Sequence, residues 1–308
     1  MVYDLIIVGG GPAGMTAGIY ATRQKINTLL ITKSFGGQMA RKAVEIENFP
    51  GFEKISGLEL IQKMEKHLKK RKIDIITDSV KEIKKVGKEF SVLTADKKQF
   101  QGKTLIVASG ADPRPLEVSG EKEFIGKGVS YCVACDGPIY AGKTVAVVGG
   151  GNAGLEAALS LSKYAAKIYI LEQGTQIKAE AIAQERVKEI KNIVVITQAA
   201  LKKIQGQNFV ESVIYEDGKS RKLITLDLQG IFVEIGSQPA TGFVKGLVDF
   251  NKQDEIIVNP KTGETSTPGL FSAGDADDLP YKQIIIACGE GAKAAISASI
   301  YLQKNDRT

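Results

Sequence analysis

Two stretches of the chain have the same layout: VYDLIIVGGGPAGMTAGIYATRQKINTLLIT at residues 2–32 and GKTVAVVGGGNAGLEAALSLSKYAAKIYILE at residues 142–172. Each contains an apolar run rich in β-branched residues, a glycine cluster, a segment with apolar residues three to four apart, and a second apolar run. This order is typical of a strand, a helix and a second, parallel strand. The repeat therefore predicts two βαβ units in one chain and an α/β fold.

Both repeats carry a G-x-G-x-x-G turn between the first strand and the helix. The first glycine of such a turn permits the tight bend, the second lets the backbone approach a diphosphate, and the third lets the helix pack closely on the strand. The N-terminus of the helix stabilises the diphosphate charge. One such turn is weak support, but two with matching flanks predict two dinucleotide-binding sites. The glycines are Gly9, Gly11, Gly14, Gly149, Gly151 and Gly154.

The second repeat ends in an acidic residue, Glu172. An acid at the end of this strand accepts hydrogen bonds from a ribose 2′-hydroxyl and repels a 2′-phosphate, so it favours NADH over NADPH. The first repeat ends in Ile31, Thr32 and Lys33, with no acid in the corresponding place. Its nucleotide prediction therefore depends on the glycines alone.

Two proline-containing segments divide the chain. ADPRPLE (111–117) and GSQPATG (236–242) each follow a predicted strand, and both have the composition of a linker. We expect residues 1–113 and 241–308 to form one discontinuous domain and residues 114–240 to form an inserted one. The predicted fold is α/β, with two three-layer, Rossmann-like dinucleotide-binding domains.

Composition limits the classes of partner. The net charge of +6 comes largely from lysines in segments such as 63–72 and 81–88, which we interpret as solvated helix faces and turns. Acidic residues are interspersed and there is no arginine-rich arm, so nucleic-acid binding is not indicated. No apolar run approaches the roughly 18–20 residues of a membrane span, and MVYDLIIVGG lacks the pattern of a signal peptide. We expect a cytoplasmic protein that does not bind membranes.

The segment SYCVACDG (130–137) holds two of the three cysteines, Cys132 and Cys135. A structural zinc site needs four ligands, and beyond this pair the chain offers only Cys288 and His67. A structural disulfide across two intervening residues would close too small a loop to stabilise the fold much. A redox-active dithiol is the favoured interpretation.

Asp136 follows the cysteine pair directly. A carboxylic acid beside a buried thiol can exchange protons with it; alternatively, Asp136 only forms the turn before Gly137 and Pro138. His67 is expected on a solvated helix face among lysines, and Cys288 is expected to pack as a small apolar residue.

Further motifs follow in order along the chain: FGGQM (35–39), ENFPGF (47–52), VASGADPRP (107–115), FSAGDADD (271–278) and YKQIIIACGEGAKAA (281–295). Together with the glycine turns and CVACDG, they resemble the low-molecular-weight thioredoxin reductases over essentially the whole chain. The similarity is strongest to the reductase part of the flavoprotein subunit of alkyl hydroperoxide reductase. That subunit carries an additional N-terminal thioredoxin-like domain, which we expect this chain to lack.

The resemblance implies an FAD site in the first domain and a nicotinamide dinucleotide site in the inserted one. NADPH-using members carry a histidine–arginine–arginine run where this chain has Glu172, Gln173 and Gly174, which agrees with the preference for NADH. The residues implied for FAD are Gly9, Gly11, Gly14, Gly37, Gln38, Asn48 and Asp275, with Gln283 and Ile284 beside the isoalloxazine ring. Those implied for NADH are Gly149, Gly151, Gly154 and Glu172.

The implied activity is reduction of disulfides by a homodimeric flavoprotein. Electrons would pass from NADH through FAD to the Cys132–Cys135 pair and on to thioredoxin or a thioredoxin/glutaredoxin-like protein. By analogy with the family, Cys135 faces the flavin, Cys132 attacks the partner, and Asp136 supplies protons. The inserted domain would swivel on hinges near 113–117 and 238–243, at Pro113, Pro115 and Pro239.

Three alternatives remain open from the sequence. The first is the same flavoprotein supplied with electrons by ferredoxin. The second is a flavoprotein that reduces a peroxiredoxin. The third is a non-catalytic FAD/NAD-binding redox sensor.

Overall fold

The computed structural model describes residues 2–39 and 46–305, and of residues 134 and 135 it describes the backbone alone. The chain divides into two units, Met1–Asp112 with Gln238–Thr308 and Pro113–Ser237. The second unit is thus inserted in the first, and both boundaries between the units lie within the two predicted linkers.

The described residues form strands and helices of very different lengths. In chain order the strands are β1 (Val2–Gly10), β2 (Thr28–Phe35), β3 (Asp74–Thr77), β4 (Val80–Val86), β5 (Glu89–Thr94), β6 (Gln99–Val107), β7 (Ala111–Pro113), β8 (Val129–Ser130), β9 (Thr144–Val148), β10 (Lys167–Glu172), β11 (Ile193–Thr197), β12 (Ala199–Gly206), β13 (Val210–Asp217), β14 (Leu223–Asp227), β15 (Gly230–Val233), β16 (Ser237–Pro239) and β17 (Leu270–Ser272). The helices are α1 (Pro12–Arg23), α2 (Gly57–Lys69), α3 (Glu121–Phe124), α4 (Val133–Asp136), α5 (Asn152–Leu161), α6 (Ala181–Glu189) and α7 (Ile284–Asn305), with 3₁₀ turns at Gly137–Tyr140 and Gly242–Val244.

The first unit is built on a mixed sheet whose central strand is β1. Strands β2 and β6 pair with β1 in parallel, β3 extends the sheet beyond β2, and β17 pairs with β6. Leu5 and Ile7 are buried in a core shared with α1, α2 and α7, whereas Ile6 and Val8 are buried in a second core on the opposite face. Burial on both faces explains the continuous apolar run of β1.

One lysine-rich segment is a strand, which corrects the sequence interpretation of residues 81–88. Strand β4 pairs with β5 in antiparallel fashion, and β5 pairs with β6. Only Ile83 of β4 is buried, so its lysines point away from the core along the edge of the sheet. Lysines on an exposed edge strand discourage pairing with other chains.

The closing helix α7 packs on α1 in the first unit. Gly291 allows the close approach, because a Cβ there would lie 2.1 Å from the carbonyl oxygen of Ala13. By length and composition α7 could cross a membrane, with a mean hydropathy of 1.3. Its alanines, among them Ala294 and Ala298, are buried in the protein core, which accounts for the apolar composition.

The inserted unit repeats the three-layer plan. Its parallel sheet has the order β11-β10-β9-β15-β8, and β12, β13 and β14 form an antiparallel sheet. Val145 and Val147 of β9 are buried on the face covered by α5, and Ala146 and Val148 are buried on the face covered by the antiparallel sheet. The predicted fold class, with two Rossmann-like units, is confirmed.

The two segments that connect the units pair with each other. Strands β7 and β16 form a two-stranded sheet that contains Pro113 and Pro239. Backbone hydrogen bonds flank it, from Arg114 N–H to the Gly236 carbonyl (3.0 Å) and from Ala240 N–H to the Gly110 carbonyl (2.9 Å).

Candidate active site

The two glycine turns have the same geometry. Gly9 has φ +116° and Gly149 has φ +120°, values that a residue with a side chain rarely adopts. A Cβ on Gly9 would lie 2.1 Å from the carbonyl oxygen of Ala108, after β6, and one on Gly149 would lie 2.2 Å from that of Glu234, after β15. In both sheets the turn therefore lies where the strand order reverses, which is where open α/β sheets bind ligands.

The remaining glycines of each turn differ in what surrounds them. A Cβ on Gly14 or on Gly154 would lie 1.9 Å from the carbonyl oxygen of the first glycine of the turn, so the helix packs against the turn itself. Beyond its chain neighbours, a Cβ on Gly11 or on Gly151 would meet no atom of the described residues within 4 Å. The second glycine thus leaves room for a ligand at the N-terminus of α1 and of α5, where a diphosphate is stabilised. Both turns fit a dinucleotide.

Polar residues predicted for FAD come together in the first unit. The Nε2 of Gln38 donates to Oδ2 of Asp275 at 3.0 Å, and the Nδ2 of Asn48 donates to Oε1 of Gln283 at 3.2 Å. These partners are more than 230 residues apart in the chain. Ile284 is the first residue of α7, directly after Gln283.

Gly37 lies beside the glycine turn, because a Cβ on it would be 3.5 Å from the Cα of Gly11. Sequence reasoning did not identify Ser109, which follows β6 next to Gly9. Its hydroxyl is buried and has no hydrogen-bond partner among the described residues. Its place at the carboxyl end of a predicted strand is the signal that would have identified it. The polar groups of this unit fit a polar ligand such as FAD.

Two buried carboxylates support the turn that carries Asp275. Glu290 accepts a hydrogen bond from the N–H of Gly274 at 2.8 Å. Asp277 is 1% exposed, and its Oδ2 has no hydrogen-bond partner in the described part of the chain. Burial, and then the charge of Glu290, raise the pKa of Asp277 to about 7, and burial also raises the pKa of Glu290.

Replacing Asp277 by asparagine is expected to stabilise the protein more at alkaline than at acidic pH. In the folded protein its pKa is about 7, above the ordinary 3.8, so the stability that the protonated acid provides is complete below pH 3.8 and is lost as the pH rises through 7. Asparagine imitates the neutral acid, so the gain in free energy of unfolding should grow by about 1–3 kcal/mol between roughly pH 5 and pH 8. Urea unfolding across this range measures it. The exposed Asp249→Asn serves as control, and a gain independent of pH would contradict the assignment.

In the inserted unit, Glu172 lies against the second glycine turn. Its Oε2 accepts from the N–H of Gly150 at 2.7 Å, and its Oε1 accepts from the N–H of Gly174 at 2.5 Å. Both oxygens are therefore fixed by backbone donors, and each carboxylate oxygen retains a second lone pair for a ligand hydroxyl.

Two cations share a surface pocket with Gln173, the residue after Glu172. Lys202 and Arg221 are both paired with Glu216, at 2.9 and 3.1 Å. The basic side chains beside this strand end thus already have an acidic partner.

The cysteine segment follows the short strand β8. The hydroxyl oxygen of Ser130 accepts from the N–H of Cys132 at 3.0 Å, and the N–H of Asp136 donates to the Cys132 carbonyl at 3.0 Å. Cys132 is in a disulfide, and Cys288 is a free thiol. The side chain of Cys135, the partner expected from the sequence, lies outside the described residues.

The other candidate residues lie as follows. Asp136 is half-buried, and burial followed by the charge of Asp136 raises the pKa of Tyr140. Cys288 lies on α7. Burial raises the pKa of its thiol, and a hydrogen bond with Thr16 partly offsets this rise. His67 is exposed on α2, as predicted. In the described ranges, no group of three or more histidine, cysteine or acidic side chains could hold a metal ion.

Fold and site together define a protein with two dinucleotide-binding units and a cysteine disulfide in the inserted one. The sequence matches the family model described as pyridine nucleotide-disulphide oxidoreductase over residues 3–291. The chain therefore belongs to the pyridine nucleotide-disulphide oxidoreductase family. It is a flavin-dependent disulfide oxidoreductase, an enzyme that uses FAD and a pyridine nucleotide.

Individual relatives agree with the resemblance inferred from the motifs. One is a component of the alkyl hydroperoxide reductase of Pseudomonas aeruginosa, which is 41% identical over 305 residues that cover 97% of this chain and 58% of that protein. NADH dehydrogenase from Bacillus subtilis is 40% identical, with 98% of this chain and 59% of that protein covered. The chain thus spans less than two thirds of the length of these relatives.

One solved structure matches this chain along almost the whole length of both proteins. Thioredoxin reductase from Lactococcus lactis, in its FR conformation, is 34% identical, with a TM-score of 0.93, and the match covers 98% of this chain and 99% of that one. The thioredoxin reductase of T. acidophilum gives a TM-score of 0.90 at 33% identity.

Proposed function

We propose that the chain uses NADH to reduce the disulfide of a thioredoxin or a thioredoxin/glutaredoxin-like protein, through FAD and the Cys132–Cys135 pair. The observation that carries the proposal is the disulfide of Cys132 within a unit that also has a nucleotide-binding glycine turn. The overall reaction balances as NADH, a proton and a disulfide giving NAD⁺ and a dithiol. The proposed site of action is the cytoplasm, where pyridine nucleotides are abundant.

The proposed FAD domain is residues 1–113 with 241–308, and the proposed NADH domain is residues 114–240. When bound, FAD would accept a hydride from nicotinamide and make two electrons available to a disulfide. The open sides of Gly11 and Gly151 would receive the diphosphates. Gln38, Asn48, Asp275 and Gln283 would hold the remaining polar groups of FAD, beside Gly37 and Ile284.

The preference for NADH is supported by the second site. The Glu172 carboxylate, fixed by two backbone donors, would accept from the ribose and repel a 2′-phosphate. Lys202 and Arg221 are already paired with Glu216, so a 2′-phosphate would have to compete with that carboxylate for them.

At the cysteine pair, the proposed roles follow thiol–disulfide exchange. The Cys132 thiolate attacks the partner's disulfide and forms a mixed disulfide with it. Cys135 then attacks the Cys132 sulfur, which releases the reduced partner and forms the Cys132–Cys135 disulfide again. Asp136, next to Cys135, would supply the proton that the released thiolate takes up. The enzyme would act as a homodimer.

The names of the relatives indicate a second candidate for the protein that accepts the electrons. One relative belongs to an alkyl hydroperoxide reductase, and the solved structures with the highest similarity given above are thioredoxin reductases, so a peroxiredoxin is the second candidate partner. NADH-driven reduction of a thioredoxin, a glutaredoxin and a peroxiredoxin, each supplied oxidised, tests the proposal. Reduction of none of them would refute it.

Replacing Gly11 by alanine is expected to remove FAD without unfolding the protein. In the part of the chain that the structure describes, the new methyl group meets no atom within 4 Å beyond its chain neighbours, and the backbone at Gly11 (φ −76°, ψ −175°) suits alanine. The methyl group would instead occupy the approach of the diphosphate, so we expect FAD affinity to fall by about tenfold or more. Flavin absorbance per chain after gel filtration measures the loss, and circular dichroism measures the fold.

The matched variant is Gly151→Ala in the inserted unit, whose surroundings are the same. It should keep its FAD and lose affinity for NADH. A Gly11→Ala protein with a full complement of flavin would contradict the assignment of the first turn.

A further inference from the structure

A buried carboxylate lies close in sequence to the cysteine pair and in the same unit. Glu121 begins α3, and 2% of the residue is exposed. Its Oε1 accepts from the N–H of Leu116 at 2.6 Å, and its Oε2 accepts from the N–H of Glu117 at 2.8 Å. The hydroxyl of Tyr131 also donates to Oε1. A buried charge with three donors is stably held, and the loss of any donor leaves it undersatisfied.

Tyr131 is the residue directly before Cys132. Burial, and then the hydrogen bond to Glu121, raise the pKa of Tyr131, so the hydroxyl keeps its proton and remains a donor. The backbone of Cys132 is held on both sides. Its N–H donates to the hydroxyl oxygen of Ser130 and its carbonyl accepts from the N–H of Asp136, each at 3.0 Å. The segment that carries the cysteine is therefore anchored at every residue from 130 to 132.

The other two donors belong to the linker that enters the inserted unit. Glu117 has φ +59°, a conformation that is strained for a residue with a side chain. Its N–H and that of Leu116 bind the same carboxylate that binds Tyr131. Glu121 thus joins the end of the linker to the cysteine segment.

We propose that Glu121 and Tyr131 are positioning residues for disulfide exchange at Cys132. They hold the end of the linker and the cysteine segment as one rigid piece, so that the Cys132 thiolate has one fixed orientation when it attacks a disulfide. Neither side chain transfers electrons or protons. The proposal rests on the proposed function, in which Cys132 forms the mixed disulfide and Cys135 resolves it.

The test compares variants of the FAD-loaded enzyme, with dithiobis(nitrobenzoate) as a small disulfide that needs no protein partner. Tyr131→Phe removes one hydroxyl, and we expect kcat for this disulfide to fall by about tenfold, as for a lost hydrogen bond to a charged group. The rate of flavin reduction by NADH and the KM for NADH should not change. A role in general stability would also slow flavin reduction and raise the KM for NADH, because the NADH turn belongs to the same unit.

Further variants sharpen the test. Glu121→Gln should lose more, because its amide N–H₂ would face the N–H of Leu116 or of Glu117. The double variant should lose less than the product of the two single losses, since both changes weaken the same cluster of hydrogen bonds. Tyr215→Phe removes another buried tyrosine hydroxyl from the same unit and should behave like wild type.

Two results would overturn the proposal while the wild-type enzyme is active: a kcat for Tyr131→Phe within about twofold of wild type, or a parallel fall in flavin reduction. A wild-type enzyme whose flavin is reduced by NADH but which reduces neither the small disulfide nor an oxidised thioredoxin, glutaredoxin or peroxiredoxin would instead refute the proposed function, and this assignment with it.

Discussion

Replacing Cys135 by serine is expected to lower protein-disulfide reduction by about a thousandfold or more while leaving flavin reduction by NADH intact. The proposed exchange needs both thiols, because without the second one the mixed disulfide at Cys132 cannot be resolved. The loss of a covalent participant is among the largest single-residue effects in catalysis. Anaerobic stopped-flow absorbance measures flavin reduction, and NADH oxidation with an oxidised thioredoxin measures turnover.

Cys132→Ser should give the same result. Cys288→Ser is the matched control, since Cys288 is a free thiol outside the cysteine segment. In a reductive titration, wild type and the control should consume one more equivalent of NADH per flavin than either active-site variant, because only they contain the reducible pair. Retained thioredoxin reduction in Cys135→Ser would be incompatible with the dithiol mechanism.

Replacing Glu172 by glutamine is expected to reduce the preference for NADH over NADPH by about 100-fold. The substitution removes the charge that opposes a 2′-phosphate and one acceptor for the ribose hydroxyls, each worth about 1.5 kcal/mol. The kcat/KM for NADH should fall and that for NADPH should rise. Steady-state kinetics with both nucleotides measures the ratio.

The rise with NADPH is the informative part of this experiment. Glu172 also binds the N–H groups of Gly150 and Gly174, so mere disturbance of the turn would lower both activities. Glu189→Gln, an exposed substitution on α6 of the same unit, is the control. An unchanged ratio in Glu172→Gln would exclude this residue as the selector.

The repeated βαβ pattern was sufficient to predict the fold class, because a glycine turn between two apolar runs is a local signal. The antiparallel strands were not foreseen. Strand β4 has one buried residue, Ile83, among exposed lysines, so its composition resembled a solvated surface. Strand β14 likewise consists mostly of exposed residues. Such strands form because a neighbouring strand supplies hydrogen bonds, which composition does not reveal.

The site shows the same division between local and distant signals. The glycines and the cysteine pair are contiguous motifs, whereas the contact of Gln38 with Asp275 joins residues 237 apart. The burial of Asp277 and the three donors of Glu121 arise only when distant segments or loops fold together. No spacing rule relates a glutamate before a short helix to a tyrosine beside a redox cysteine.

Anaerobic titration of the purified, FAD-containing protein with NADH and, separately, with NADPH tests the central claim most directly. We expect NADH to bleach the flavin absorbance rapidly, and NADPH at the same concentration to do so about 100-fold more slowly. Equal bleaching by the two nucleotides would contradict the selection by Glu172. Bleaching by neither would contradict the NADH-fed reductase and favour an enzyme supplied by ferredoxin.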